Sequence, residues 1–126
     1  MKKFLAVTIV ALAALSLVSS AAQASTMGHR EALDAAKSYL RSGHFSRAGL
    51  IDQLDSPYGE DFSHSDAVWG VNHAHANWYA KAVQAAKSYL RSGHFSRRGL
   101  IDQLESPYGE HFTHAQAVYG VSRAYR

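Results

Sequence analysis

Apolar and polar residues along this chain follow the spacing of short amphipathic helices. From Glu31 to Arg41 the apolar side chains recur three and four positions apart, as they do on one face of a helix. These side chains are Ala32, Leu33, Ala36, Tyr39 and Leu40. Ser42 and Gly43 end the pattern, and we expect the glycine to close the helix with a positive φ angle.

Two further helices follow before the pattern starts again. Ser46 is a typical N-cap for a second helix, whose apolar side chains are Leu50, Ile51 and Leu54. Serine, proline and glycine in residues 56–59 end that helix. Ser63 caps a third helix, which runs to about Ala76. Since no segment alternates with the period of two that strands require, the sequence predicts an all-α fold.

The chain repeats itself after fifty residues. Ala35–Glu60 aligns with Ala85–Glu110, and two of these twenty-six positions differ, Ala48/Arg98 and Asp55/Glu105. Each copy is one structural unit of three helices, and Asn77 and Thr113 are the expected caps in the second. A unit of about fifty residues has a marginal core, so we expect units 25–76 and 77–126 to dock on each other.

The first 24 residues have the composition of an export signal. Lys2 and Lys3 precede the apolar run Phe4–Val18, and Ala22 and Ala24 are the small residues that precede a cleavage site. The run is shorter than the roughly 20 residues of a membrane-spanning helix. We therefore predict a signal peptide at 1–24, cleavage after Ala24 and a periplasmic or secreted product that meets the membrane only through an uncleaved leader.

Cysteine and charge limit the classes of protein further. The sequence contains no cysteine, so we expect no lipoprotein and no disulfide. Thirteen basic and ten acidic side chains give +3, which falls to +1 when Lys2 and Lys3 leave with the leader. Such a charge disfavours nucleic-acid binding, although arginines lie at the start of each second helix, where amides are free.

No arrangement of residues is typical of an enzyme. Glu60 and Asp61 resemble a pair of acid and base carboxylates, but His111 stands where the second copy would need the second carboxylate. Ser46 lies two residues after His44, which is the spacing of a helix cap, and no orienting acid accompanies the two. We predict no enzymatic activity, no cofactor and no small-molecule substrate.

Histidines offer one chemical alternative. His73 and His75, with His64 one or more turns earlier, could converge on zinc or copper. Two such positions on one helix point about 200° apart, so the pair shares an ion only if the helix ends between them. The second copy has Arg123 and Tyr125 instead. We predict no metal site and keep metal binding as a distant alternative.

The segment SYLRSGHFSRRGLIDQLESPYGEHFTHAQAVYGV is similar to the repeat of the Ltp-like family of host cell surface-exposed proteins. The matching elements are Ser88–Leu90, Phe95–Leu104, Ser106 with Tyr108–Thr113, and Ala117–Val121. The first copy matches too, with Ser63 for the threonine and Trp69 for the tyrosine.

This resemblance implies a tandem of helix-turn-helix-like units displayed outside the cytoplasmic membrane. It also implies superinfection exclusion, in which phage-encoded members block entry of phage DNA by engaging the tail tape measure protein. We therefore expect an exported protein that binds the tape measure protein or another tail protein. The alternative is a host envelope-binding or structural module with no connection to phage. Many members carry a lipid-modified cysteine, which this sequence lacks.

A partner would bind side chains that loops and helix starts present without weakening the core. In this sequence the expected partner-binding residues are His44, Arg47, Tyr58, His94, Arg97, Arg98 and Tyr108.

Overall fold

The computed structural model describes Gln23 and residues 25–126, in which there are six helices and no strand. The helices are α1 (25–42), α2 (Arg47–Asp55), α3 (His64–His73), α4 (Trp78–Ser92), α5 (Arg97–Glu105) and α6 (His114–Ala124). The predicted all-α tandem of three-helix units is confirmed. None of the helices in this part of the chain is long and apolar enough to cross a bilayer. Apart from Gln23, the predicted leader lies outside the described residues.

Polar side chains begin the helices at the predicted positions. The side-chain oxygen of each cap accepts a hydrogen bond from the backbone amide three residues ahead, which satisfies a donor that the first helical turn leaves free. The caps are Ser46, Ser63, Asn77, Ser96 and Thr113. At the start of α6 the side chain of Gln116 also accepts from the Thr113 amide at 3.1 Å, which completes a capping box.

The prediction that Gly43 ends α1 with a positive φ angle is wrong. No glycine in the described residues has a positive φ, and the equivalent Gly93 is extended, at −169°. The amide of Gly93 still bonds to the Tyr89 carbonyl at 3.0 Å, so the helix ends with its last donor satisfied. The chain then runs extended toward the next cap and needs no left-handed residue.

Glycine allows the first and third helices of each unit to meet backbone to backbone. A Cβ atom on Gly70 would lie 2.6 Å from the carbonyl carbon of Ala32, and one on Gly120 would lie 2.6 Å from the carbonyl oxygen of Ala82. Both alanines are fully buried. Glycine and alanine thus remove the side-chain volume that would hold the helices apart.

Each unit has its own apolar core, built from alanines of its first helix and leucines of its second. The core of the first unit contains Ala36, Leu50, Ile51, Leu54, Ala67 and Val71. The core of the second contains Ala82, Ala85, Ala86, Leu100, Leu104, Phe112, Ala117 and Val121.

The start of α4 joins the two units. Trp78 belongs to the second repeat in sequence, but its side chain packs against the first core. Three residues on, the Lys81 ammonium donates to the carbonyls of Leu40 and Gly43 at 2.6 and 3.3 Å. Lys81 therefore supplies donors to carbonyls that the end of α1 leaves free.

A tyrosine on the first helix of each unit holds the turn that follows the second helix. The Tyr89 hydroxyl donates to Glu110 Oε1 at 2.8 Å and accepts from Gln103 Nε2 at 3.2 Å. Burial raises the pKa of Tyr89 above its ordinary 10.0, and the hydrogen bond to the Glu110 carboxylate raises it further. Tyr39 and Glu60 make the same contact in the first unit, at 2.6 Å.

We expect Gly120→Ala to lower the free energy of unfolding by about 1–3 kcal/mol, because the added methyl group separates α4 from α6. Urea unfolding followed by helical circular dichroism measures this. The control is Gly93→Ala, whose Cβ would lie 3.4 Å from its nearest neighbour, at ordinary contact distance. Equal losses in the two variants would contradict the close crossing.

We expect Tyr89→Phe to cost about 1 kcal/mol at neutral pH, through loss of the hydrogen bond to Glu110. The difference from the unsubstituted protein should shrink above pH 10. The unfolded tyrosine ionises there first, so the stability that depends on its raised pKa is lost as the pH rises. Urea unfolding at neutral and alkaline pH tests this, with the fully exposed Tyr108→Phe as control. A difference independent of pH would contradict it.

Candidate functional site

A tight turn with the sequence Ser-Pro-Tyr-Gly-Glu follows the second helix of each unit, at 56–60 and 106–110. In the second unit the Glu110 amide donates to the Gln103 carbonyl at 3.3 Å, so the turn folds back on the end of α5. Glycine is required at 109 because a Cβ there would lie 2.2 Å from that carbonyl oxygen. The equivalent bond and close approach recur in the first unit. The two turns therefore have the same fixed shape.

The expected partner-binding tyrosines lie at the tips of these turns. Tyr58 is 100% exposed and Tyr108 is 99% exposed. Each tyrosine amide donates to the hydroxyl of the serine two residues before it, at 3.1 Å, so the backbone at the tip is held. An exposed tyrosine on a fixed backbone offers a large contact area and loses little conformational entropy on binding.

The three expected arginines have different surroundings. Arg47 Nε donates to the side-chain oxygen of Asn72 at 2.9 Å, which ties α2 to α3. The Arg97 guanidinium lies over the ring of Tyr125, 4.9 Å from its centre. Arg98 is exposed, and no residue in the described part of the chain pairs with it. Arg98 is therefore the arginine most available to a partner.

The two expected histidines are not equivalent, because His44 lies in the junction between the units. Its Nδ1 is 3.9 Å from Glu110 Oε2 of the second unit. Nearby, the Ser46 hydroxyl donates to the Glu110 carbonyl oxygen at 2.5 Å, and Ser46 is 1% exposed. His94 is exposed on the surface of the second unit.

Corresponding sequence positions form one surface at the start of α2 and another at the start of α5. We define the α2 surface as His44, Ser46, Ala48 and Gly49, and the α5 surface as His94, Ser96, Arg98 and Gly99. The α2 surface holds the Glu110 turn. Ser96 of the α5 surface is exposed, and its hydroxyl proton has no acceptor among the described residues.

Sequence reasoning missed Ser96, Gly99 and the docking of the units through Glu110. The available signal was the substitution of Arg98 for Ala48, one of two differences in the repeated stretch. Ala48 lines the cleft between the units together with Glu105 and His111. The small alanine fits this partly buried position between the units, whereas the equivalent position in the second unit is exposed and accommodates an arginine.

A column of stacked rings lies outside the first core and was also not predicted. Trp69 stacks on His29 at 4.5 Å and on His73 at 3.8 Å between ring centres. The second unit has Tyr119 at the position of Trp69, and the Arg123 guanidinium lies 4.2 Å above its ring. Both units therefore have a partly exposed aromatic cluster in the same place, but with different chemistry.

The histidines of the alternative metal site contact other groups or lie apart from one another. His73 Nδ1 lies 2.7 Å from the Trp69 carbonyl oxygen, and His64 Nδ1 lies 2.8 Å from a carboxylate oxygen of Asp55. Helix α3 ends between His73 and His75, whose ring centres are 6.5 Å apart. Within residues 23 and 25–126, no three histidine or acidic side chains are grouped so that they could hold a metal ion.

Charge divides unevenly between the two units. Residues 25–76 carry four basic and seven acidic side chains, which gives −3, and residues 77–126 carry seven and three, which gives +4, with histidines neutral. The near-neutral total therefore conceals an acidic first unit and a basic second unit. An anionic partner is attracted to the unit that displays the open α5 surface.

Known proteins resemble the chain in sequence and in fold. A family model described as host cell surface-exposed lipoprotein matches residues 29–74 and, a second time, residues 77–123. Among solved structures, the chain is similar to Ltp, described as a superinfection exclusion protein from the Streptococcus thermophilus temperate phage TP-J34. The two are 28% identical with a TM-score of 0.68, and the match covers 75% of this chain and 93% of that one. No curated protein sequence matches the chain.

The family resemblance of the repeat is confirmed by these matches. The family model covers most of both three-helix units and more than half of the chain, so this protein belongs to the Ltp family of host cell surface-exposed lipoproteins.

Proposed function

We propose that this protein is exported and excludes superinfecting phage by binding a protein of the incoming phage tail, so that the phage DNA does not enter. The observation that carries the proposal is the similarity to the superinfection exclusion protein, which extends over 93% of that protein's chain at 28% identity. The match of both units to the family model supports the same conclusion.

The geometry suits a protein partner better than a substrate. Each unit presents a turn of the same shape with a fully exposed tyrosine at its tip. Two similar surfaces at a fixed separation raise the avidity for a long or repetitive partner, because the second contact forms within the complex. The tape measure protein is the tail protein that we propose as this partner, and the binding needs no catalysis or cofactor.

The partner-binding residues that we propose lie around the turns and the helix starts. They are His44, Arg47, Tyr58, His94, Arg97, Arg98 and Tyr108. Of these, Tyr58, Tyr108, His94 and Arg98 are exposed, and their side chains have no hydrogen-bonded, ion-paired or stacked partner among the described residues. His44, Arg47 and Arg97 make contacts within the protein, and we propose that they orient the surface rather than anchor the partner.

Location is part of the proposal. We propose that residues 1–24 direct export and are removed, and that units 25–76 and 77–126 act in the periplasm or outside the cell. A protein placed there meets the tail before the DNA reaches the cytoplasm. Because the sequence lacks cysteine, the proposed route involves no lipid attached at a cysteine.

Cells that produce the full chain should resist at least one phage of a test panel, with normal adsorption and failed DNA entry. A chain that starts at Ser25 after an initiating methionine should give no protection, because it stays in the cytoplasm. Plaque counts, adsorption and DNA-entry measurements test this. Equal infection of both strains by every phage would contradict exclusion and favour a host envelope-binding module.

We expect Tyr58→Ala with Tyr108→Ala to reduce protection strongly while the free energy of unfolding changes by less than about 0.5 kcal/mol, because neither ring is packed. Plaque counts and urea unfolding measure the two effects. The matched control is Lys37→Ala with Lys87→Ala, which changes equivalent exposed positions on α1 and α4. Full protection by the tyrosine variant would show that the tips of the two turns do not contact the phage protein.

A further inference from the structure

The same surface occurs twice in this protein, once filled and once open. On the α2 surface, Ser46 Oγ donates to the Glu110 carbonyl oxygen at 2.5 Å and accepts from the Gly49 amide at 2.9 Å. His44 lies 3.9 Å from the carboxylate of the same glutamate. The α2 surface therefore receives both the backbone oxygen and the acidic side chain of a turn.

Helix polarity and glycine make this contact favourable. The N-terminal end of α2 carries free amides and a partial positive charge, which attract oxygen atoms. A Cβ atom at position 49 would lie 3.0 Å from Ser46 Oγ, so glycine leaves room around the hydroxyl that bonds to Glu110. The contact is thus a peptide turn seated on a helix start.

The α5 surface repeats these groups without an occupant. Ser96 Oγ accepts from the Gly99 amide at 3.0 Å, and both His94 and Ser96 are exposed. Arg98 replaces Ala48 and adds a positive charge, in a unit whose net charge is +4. The open surface is therefore more cationic than the filled one.

We propose that the α5 surface binds an acidic turn of a partner protein. Ser96 donates to a backbone carbonyl oxygen of that turn, as Ser46 does to Glu110. His94 faces the carboxylate that corresponds to Glu110. Arg98 lies where Ala48 faces Glu105 in the filled site, beside a second acidic side chain of the turn. Gly99 leaves the Ser96 hydroxyl uncrowded, because a Cβ there would lie 3.0 Å from it. The identification of this partner with a phage protein rests on the proposed function, whereas the binding chemistry does not.

A second copy of this chain does not fit as the occupant. It would present its Glu60 turn, but the docking of the two units also uses Trp78 and Lys81 at the start of α4. The equivalent positions in the first unit are Gly28 and Glu31. Glycine cannot fill the place of the tryptophan, and a carboxylate would repel the carbonyls that the lysine binds.

Nucleic acid is also a poorer fit than a protein turn. The group that the equivalent α2 surface holds is a neutral carbonyl with one carboxylate beside it. Asp102 is exposed on α5 and would repel a phosphate backbone, which carries a charge at every nucleotide.

The probe for this surface is a backbone-cyclised peptide with the sequence of residues 103–113, QLESPYGEHFT. Cyclisation suits it because the Gln103 carbonyl accepts from the Glu110 amide and the Leu104 carbonyl from the Phe112 amide, which brings the two ends together. Titrated into the ¹⁵N-labelled chain without its leader at millimolar concentration, the peptide should shift the amides of Arg97, Arg98 and Gly99. The Gly49 amide should not move, because Glu110 occupies the α2 surface.

Two changes should weaken this binding. Arg98→Ala should lower the affinity about two- to fivefold, as expected for one exposed charge pair. A peptide with glutamine at the position of Glu110 should lose affinity to a similar degree. Lys87→Ala removes one charge from the same unit at another exposed position and should leave the affinity unchanged.

Several results would overturn the proposal. One is the absence of shifts at the start of α5, and another is equal shifts at Gly49. Displacement of the peptide by a short DNA duplex at physiological salt would make the surface a phosphate site. Self-association that Glu60→Gln removes would make the occupant a second copy. If the peptide causes no shifts while cells remain protected from phage, this inference falls and the proposed function stands. If the peptide binds but the cells are not protected, only the proposed function falls.

Discussion

The contact between a glycine of the third helix and an alanine of the first determines the shape of each unit. At Gly70 and Ala32, and again at Gly120 and Ala82, the helix backbones meet where any side chain on the glycine would clash with backbone atoms. This crossing sets the distance across which the leucines of the second helix fill the core. The position of the second helix then fixes the turn at its end.

Duplication gives two units with nearly the same sequence, and docking makes them different. The turn of the second unit is seated on the first, whereas the turn of the first unit carries its glutamate exposed. The serine at the start of α2 is buried and that of α5 is exposed. Thus identical residues serve the internal junction in one copy and remain available to other molecules in the other copy.

Local features were predictable from the sequence, and long-range contacts were not. The caps followed from residue type and spacing, because a cap bonds to an amide three residues away. Gly49, Gly70, Gly99 and Gly120 interrupt helical patterns in both copies, which predicts close helix crossings. The prediction is confirmed at Gly70 and Gly120 and is wrong at Gly49 and Gly99, where the nearest atom is the hydroxyl of the cap serine. The seating of Glu110 on Ser46 joins residues 64 positions apart, and no periodicity reveals such a pair.

Trp78 has a consequence for the order in which the protein can form. Its indole packs against the first core, but it follows the last helix of the first unit in the chain. A ribosome or a secretion channel releases residues from the amino end onward, so the first unit emerges without a side chain that covers its core. It stays incomplete until α4 begins to emerge. The boundary between the sequence repeats is therefore not a boundary between independent folding units, and exchange of repeats between genes at residue 77 would separate a core from its missing ring.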